Sequence, residues 1–249
     1  MRVQILDTAS EMAVCAARDG AAAIRAAIRD RGEATIVLAT GASQLEMLEV
    51  LTREAIDWSR VTAFHLDEYC GIDREHPVSF RRYMRERFTD RVAGLKSFTW
   101  IDADAEDLDA ELIRLGSAIE RAPVDVAFIG IGENGHLAFN EPPADFHATS
   151  PYILVTLDEV SRQQQVNEGW FEHIDEVPKT AISMSLRQIL KAKSIICTVP
   201  DARKAKAVQA ALEGEIGRTC PASILRVHPD VALYLDKPAA SDLQFFFRF

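Results

Sequence analysis

A histidine and a glutamate five residues apart on a glycine-rich turn are the clearest chemical signal in this chain. They lie in residues 124–143, VDVAFIGIGENGHLAFNEPP. Residues 124–129 are short, apolar and partly β-branched, which predicts a buried strand. Gly130, Gly132 and Gly135 offer backbone freedom for a tight turn. Glu133, Asn134, His136 and Glu141 follow, all able to exchange protons or hydrogen bonds, and Pro142-Pro143 closes the segment against helix. Histidine titrates near neutrality, so proton transfer is the chemistry these residue types suit. In open α/β sheets ligands sit outside the carboxyl ends of strands, and this segment reads as such a strand end. Two other readings compete. Residues 130–135 also fit the dinucleotide motif G-x-G-x-x-G, with Glu159 downstream, but that motif needs a helix at its end, and Asn140-Glu141-Pro142-Pro143 stands there instead. His136 alone could also be an ordinary loop histidine; Glu141 five residues on argues for function.

Three further stretches carry chemistry. A strand over residues 35–40 ends in Gly41-Ala42-Ser43, with Leu45, Leu48 and Leu51 at helical spacing beyond it. A strand, a small-residue turn and a helix start can offer free N–H groups to an anion, although an ordinary strand-to-helix turn looks the same. Residues 61–69 form an apolar strand finishing in Asp67-Glu68-Tyr69. That places Asp67 at the same sheet edge as His136, unless the pair is only a solvated strand exit. Pro200-Asp201 opens a helix carrying Arg203, Lys204 and Lys206. Basic residues so early oppose the helix dipole, which points to a bound anion or to a solvated basic turn.

The remaining elements must position these groups. Strands are predicted near residues 2–6, 98–101, 152–157, 180–184, 194–199 and 231–235, and helices near 10–31, 79–88, 104–121, 158–165 and 186–190. Ser10 is the expected N-cap of the first helix and Gly32 its stop. The alternation predicts α/β architecture: a single doubly wound three-layer domain, residues 1–249, with a mostly parallel, Rossmann-like sheet. A Phe245–Phe247 cluster is expected to dock on the body or on a partner.

The 249 residues allow one large α/β domain. A formal charge of −10 argues against a nucleic-acid or anionic-membrane partner, while leaving room for a locally positive pocket. Cys15, Cys70, Cys197 and Cys220 show no C-x-x-C spacing and read as reduced thiols, neither a disulfide framework nor a metal site. No signal peptide or membrane-spanning run is evident, so a cytoplasmic location is expected.

Over nearly its whole length the chain resembles the glucosamine-6-phosphate deaminase (isomerase) family. LATGAS at 38–43 is similar to the family's phosphate loop, and FHLDEY at 64–69 to its acid-bearing strand end. GIGENGHLAFNEP at 130–142 is similar to its signature, and KAKAVQAALEG at 204–214 to its lysine helix. The resemblance implies conversion of glucosamine 6-phosphate and water to fructose 6-phosphate and ammonia, without a cofactor. It makes Asp67 the base that moves a proton from C2 to C1, and His136 the group that opens the sugar ring. Glu141 and Asn134 would hold the histidine; Thr40, Gly41, Ala42, Ser43 and Lys204 would hold the phosphate. The fold-sharing rival is 6-phosphogluconolactonase, but residues 137–141, LAFNE, and Tyr69 favour the deaminase. An isomerase of another amino-sugar phosphate is a second alternative, and a non-catalytic sugar-phosphate sensor a third.

Two departures accompany the resemblance. Many relatives carry Asp where Asn134 stands, and a phosphate-binding Arg where the alignment puts Asn167, with Arg162 about one turn earlier. Some relatives are hexamers activated by N-acetylglucosamine 6-phosphate through basic residues just after the signature. Residues 144–156, ADFHATSPYILVT, contain no Lys or Arg. Neutral donors hold a phosphate about half as strongly as charged ones, so a monomer or small homo-oligomer is expected. Initial rates should be hyperbolic in substrate and unaffected by N-acetylglucosamine 6-phosphate; sigmoidal rates that this ligand makes hyperbolic would refute that expectation.

Overall fold

The computed structural model describes residues 1–167 and 169–244. The Phe245–Phe247 cluster lies outside the described residues. Seven strands form one parallel sheet: β1 (Arg2–Leu6), β2 (Ala34–Leu38), β3 (Val61–His65), β5 (Ser97–Thr99), β6 (Val126–Ile129), β9 (Ser194–Val199) and β10 (Val231–Asp236). Their order is β1-β10-β9-β6-β2-β3-β5. The chain builds outward from β2 through β3 to β5, then restarts at β6 and runs the other way. The switch point therefore lies between β2 and β6, where Leu38 pairs with Phe128.

One face is covered by α1 (Ala9–Arg31), α2 (Leu45–Leu51) and α3 (Phe80–Met84), which bury Met12, Ile24, Leu48 and Met84 against β2, β3 and β6. The other face carries α4 (Leu108–Ile119), α6 (Leu186–Ile189) and α7 (Ala205–Glu213), with Leu115, Ile189 and Val208 in the core. The expected three layers and parallel central sheet are present. The first helix is capped two residues earlier than expected: Thr8, not Ser10, caps it by accepting from the Glu11 N–H at 3.1 Å. Thr8 has the extended backbone an N-cap needs, whereas Ser10 already lies inside the helix. Gly32, at φ 82°, ends it as expected.

A second, three-stranded sheet was not legible in the sequence. The run over residues 61–69 is two strands, and β4 (Asp67–Tyr69) pairs antiparallel with β8 (Thr180–Met184), itself paired with β7 (Tyr152–Thr156). The transfer occurs at Leu66, whose N–H donates to the Leu38 carbonyl of the large sheet at 3.1 Å. Its own carbonyl accepts from the Met184 N–H of the small sheet at 2.9 Å. Phe80, Phe139, Phe171 and Tyr69 pack behind the small sheet, with the Phe80 and Phe139 rings stacked 5.9 Å apart.

α1 approaches the sheet so closely that Gly20 rests on Phe128: a Cβ there would lie 2.3 Å from the ring. Alanine normally gains about 1 kcal/mol over glycine inside a helix. Overpacking costs about 1–3 kcal/mol, so the sign should reverse here. Gly20→Ala is expected to lower unfolding stability in urea; unchanged or raised stability would mean that α1 can move off β6.

Candidate active site

The carboxyl ends of β2, β3, β6, β9 and β10 surround a cavity of about 570 Å³. Its lining includes Thr40, Gly41, Ala42, Ser43, Asp67, His136, Arg203 and Lys204, which are eight residues from four separated segments. Gln44, fully buried, ties three of these strand ends together. Its amide donates to Thr198 Oγ1 at 2.8 Å, to Ser43 Oγ at 3.1 Å and to the Ile129 carbonyl at 3.3 Å. Gly130 leaves room for that arrangement, since a Cβ would sit 2.9 Å from Ser43 Oγ.

The Asp67-Glu68 pair divides. Glu68 turns away from the cavity and accepts from the backbone N–H groups of Tyr69, Phe80 and Arg81 and from the Ser79 hydroxyl. It anchors the start of α3. Asp67 faces the cavity and is 6% exposed, with Oδ1 buried and lacking a hydrogen-bond partner. Burial pushes its carboxyl up to about 8, and the neighbouring Glu68 charge adds to the rise. His65 offers no counter-charge, because burial and Arg81 hold its pKa down to about 3.

His136 lies flat against the turn: a Cβ on Gly132 would fall 2.2 Å from the ring. Gly130 and Gly132 thus serve close approach, while Gly135, at φ 85°, supplies the left-handed backbone of the expected tight turn. The imidazole Nδ1 lies 3.0 Å from Ser161 Oγ and 3.3 Å from Glu141 Oε2. Burial alone would raise the Glu141 carboxyl, but the His136 charge and hydrogen bonds from His136, Ser161 and Asn134 outweigh it and hold it low. Nδ1 is therefore committed to this wall, which leaves Nε2 for the cavity.

The Asn134 side chain makes no hydrogen bond to the imidazole. Its Oδ1 accepts from the His136 backbone N–H at 3.0 Å, and its amide nitrogen donates to Glu141 Oε2 at 2.7 Å. Lys204, 5% exposed, also lines the cavity beside Arg203; each approaches Glu133 Oε1 to 3.8 Å. Lys206, the third basic residue of that turn, is exposed and outside the lining. No helix follows Gly135, so the nucleotide-binding turn required by G-x-G-x-x-G is absent among the described residues. Nor, among them, do three or more His, Cys, Asp or Glu side chains converge as a metal site would require.

A family model described as glucosamine-6-phosphate isomerases/6-phosphogluconolactonase matches residues 7–233. The chain belongs to this family. Glucosamine-6-phosphate deaminase of Streptococcus sanguinis is 37% identical over 214 residues, 86% of this chain and 89% of that protein. The deaminase of Exiguobacterium is 36% identical over 241 residues, 97% of this chain and 91% of that protein. A solved monomeric glucosamine-6-phosphate deaminase superposes with a TM-score of 0.88 at 34% identity, covering 97% of this chain and all of that one (100%). A 6-phosphogluconolactonase from Shewanella baltica shares the fold, with a TM-score of 0.79 at 19% identity over 95% of this chain and 97% of its own.

The helix after β7 is where the resemblance implies a departure, at Asn167. α5 (Glu159–Asn167) turns Gln164 and Gln165 toward the cavity. Arg162 donates instead to the carbonyls of Val177 at 3.2 Å and Ile174 at 2.5 Å, and Asn167 accepts from Gln163. Neither Arg162 nor Asn167 lines the cavity. Ser161, Gln164 and Gln165 escaped the sequence reading because α5, whose apolar residues are Val160 and Val166, shows no periodic stripe.

A carboxyl whose folded pKa lies near 8 keeps a proton that the unfolded chain has released above about pH 4. Asp67 therefore costs nothing below about pH 4, and its cost grows as pH rises and is complete above about pH 8. Asp67→Asn should raise Tm over the parent by more at about pH 8.5 than at about pH 4.5. An equal difference at both values would show that Asp67 titrates in its ordinary range.

Proposed function

We propose that this chain, read as a single domain over residues 1–249, is a glucosamine-6-phosphate deaminase, converting glucosamine 6-phosphate and water to fructose 6-phosphate and ammonia. The observation that carries the reading is the buried carboxyl of Asp67, one oxygen without a hydrogen-bond donor, facing the same cavity as a carboxylate-backed histidine. Aldose–ketose conversion needs a base that removes a proton from one carbon and returns it to the next. A carboxylate with a raised pKa is suited to both transfers.

His136 acts first. Nε2 accepts the proton of the sugar's O1 hydroxyl and delivers one to the ring oxygen, which opens the pyranose to the aldehyde. Glu141, at 3.3 Å from Nδ1, stabilises the imidazolium formed between these transfers. Asp67 then takes the C2 proton; the electrons of that bond form the C1–C2 double bond, and O1, the former carbonyl oxygen, takes a proton from the substrate's ammonium group, which gives the amino-enol. Return of the proton to C1 leaves an imine at C2, which water hydrolyses to the ketose and ammonia. The substrate's own ammonium group, bound near Asp67, would offset the desolvation that otherwise keeps the carboxyl protonated. The backbone and side chains of Thr40, Gly41, Ala42 and Ser43, with Lys204, hold the phosphate, whose remote binding energy fixes the sugar for both steps.

A solved relative is described as monomeric, which supports a monomer or small homo-oligomer as the state of this chain. Among the described residues no helix is long and apolar enough to cross a membrane. A panel of amino-sugar 6-phosphates assayed for ammonia release, with 6-phosphogluconolactone as control, tests the proposal. Ammonia should be released from glucosamine 6-phosphate with kcat/KM rising toward about pH 8, and Asp67→Asn should lose at least about a hundredfold. Lactone hydrolysis without ammonia release would assign the site to the other branch of the family.

A further inference from the structure

Asn134 occupies the position where many relatives have a carboxylate, yet the site is not short of negative charge. The Asn134 amide nitrogen lies 2.7 Å from Glu141 Oε2 and 3.2 Å from Asp158 Oδ2. Carboxylate oxygens accept and do not donate, so the amide orientation follows from its two neighbours, with Oδ1 left to take the His136 N–H. Asp158 is also tied to Ser161: its Oδ1 accepts from the Ser161 backbone N–H at 2.6 Å. Ser161 in turn places its hydroxyl 3.0 Å from His136 Nδ1 and 3.2 Å from the Asn134 amide nitrogen. One carboxylate thus reaches both groups that frame the imidazole, Asn134 on one side and Ser161 on the other, while staying outside the cavity lining.

We infer that Asp158 is a positioning residue for His136: its carboxylate supplies the second negative charge behind the histidine, bridged to Glu141 by the Asn134 amide. The inference rests on the proposed role of His136 in ring opening, and it extends the site to a residue that never meets substrate. The geometry gives the device two outputs. It holds Ser161 Oγ and Glu141 Oε2 on Nδ1, which keeps the proton on that nitrogen and Nε2 free to accept. It also locks the Asn134 amide, which fixes the backbone of the turn at His136.

The competing explanation is that Asp158 only caps α5, since the Ser161 N–H is the third of that helix. Asparagine caps a helix about as well as aspartate, so Asp158→Asn separates cap from charge. The expected result is an unchanged Tm and KM, with kcat for glucosamine 6-phosphate down by about tenfold, a fraction of what general acid–base catalysis contributes. Asn134→Asp/Asp158→Asn, which moves the carboxylate to the other side of the same hydrogen bond, should recover much of that loss. Imidazole ¹⁵N shifts give a readout independent of turnover: His136 should be the Nδ1–H tautomer in the parent and a mixture in Asp158→Asn. Parental kcat together with parental imidazole shifts in Asp158→Asn overturns the inference. So does a joint fall in Tm and kcat that the double variant does not reverse. Should the parent release no ammonia, the proposed activity falls, and the imidazole shifts still decide the role of Asp158.

Discussion

The peptide of Leu66 is shared between two sheets, and the active-site architecture depends on it. Its N–H belongs to the parallel sheet through Leu38 and its carbonyl to the antiparallel sheet through Met184. A strand that simply ran on would carry Asp67 out past the sheet edge into water. Because the chain transfers to β4, Asp67 is held in register opposite Ser183, with backbone hydrogen bonds satisfied and its side chain under protein. The apolar packing of Tyr69, Phe80 and Phe139 against the small sheet keeps that transfer fixed, and Phe80 and Phe139 also line the cavity.

Three carboxylates, Asp67 and Glu68 buried and Glu141 partly so, lie close along this fold, and their surroundings give them three different tasks. Glu68 is fully buried, but three backbone N–H donors and a serine hydroxyl surround it, so it works as an anchor for α3. Glu141 has a histidine and hydrogen-bond donors on it, and these outweigh its desolvation. Asp67 has a buried oxygen with no donor, so desolvation dominates and its carboxyl rises toward about 8. The energy needed to bury Asp67 comes from the packing of the rest of the domain, and the base role proposed for it rests on the raised pKa that this burial produces.

The cavity forms at the switch point because strand connections diverge there, leaving space above the β2 and β6 ends. In this chain Gln44 fills the floor of that crevice and joins β2, β6 and β9 through side-chain hydrogen bonds. The glycines of the turn make room for side chains, Gln44 at Gly130 and His136 at Gly132, where a dinucleotide motif would make room for a pyrophosphate. Same spacing, different occupant: the missing helix after Gly135 is what separates the two.

Much of this protein was legible in one dimension. Short β-branched runs alternating with amphipathic helices implied a parallel sheet between helical layers, because hydrophobic period and turn residues act locally. His136, Glu141, Asp67 and the 40–43 loop stood out because glycine turns and ionisable groups at the ends of apolar strands are local patterns as well. What the sequence could not show was set by distant partners. The break at Leu66 has no residue signature; it exists because Met184, more than a hundred residues on, offers a competing hydrogen bond. Asp158 and Ser161 looked like the polar start of a surface helix until folding laid them against Asn134 and the imidazole. Sequence determines which side chains can accept or release a proton, whereas desolvation and neighbouring charge decide which of them does so, and both arise only when remote segments pack together.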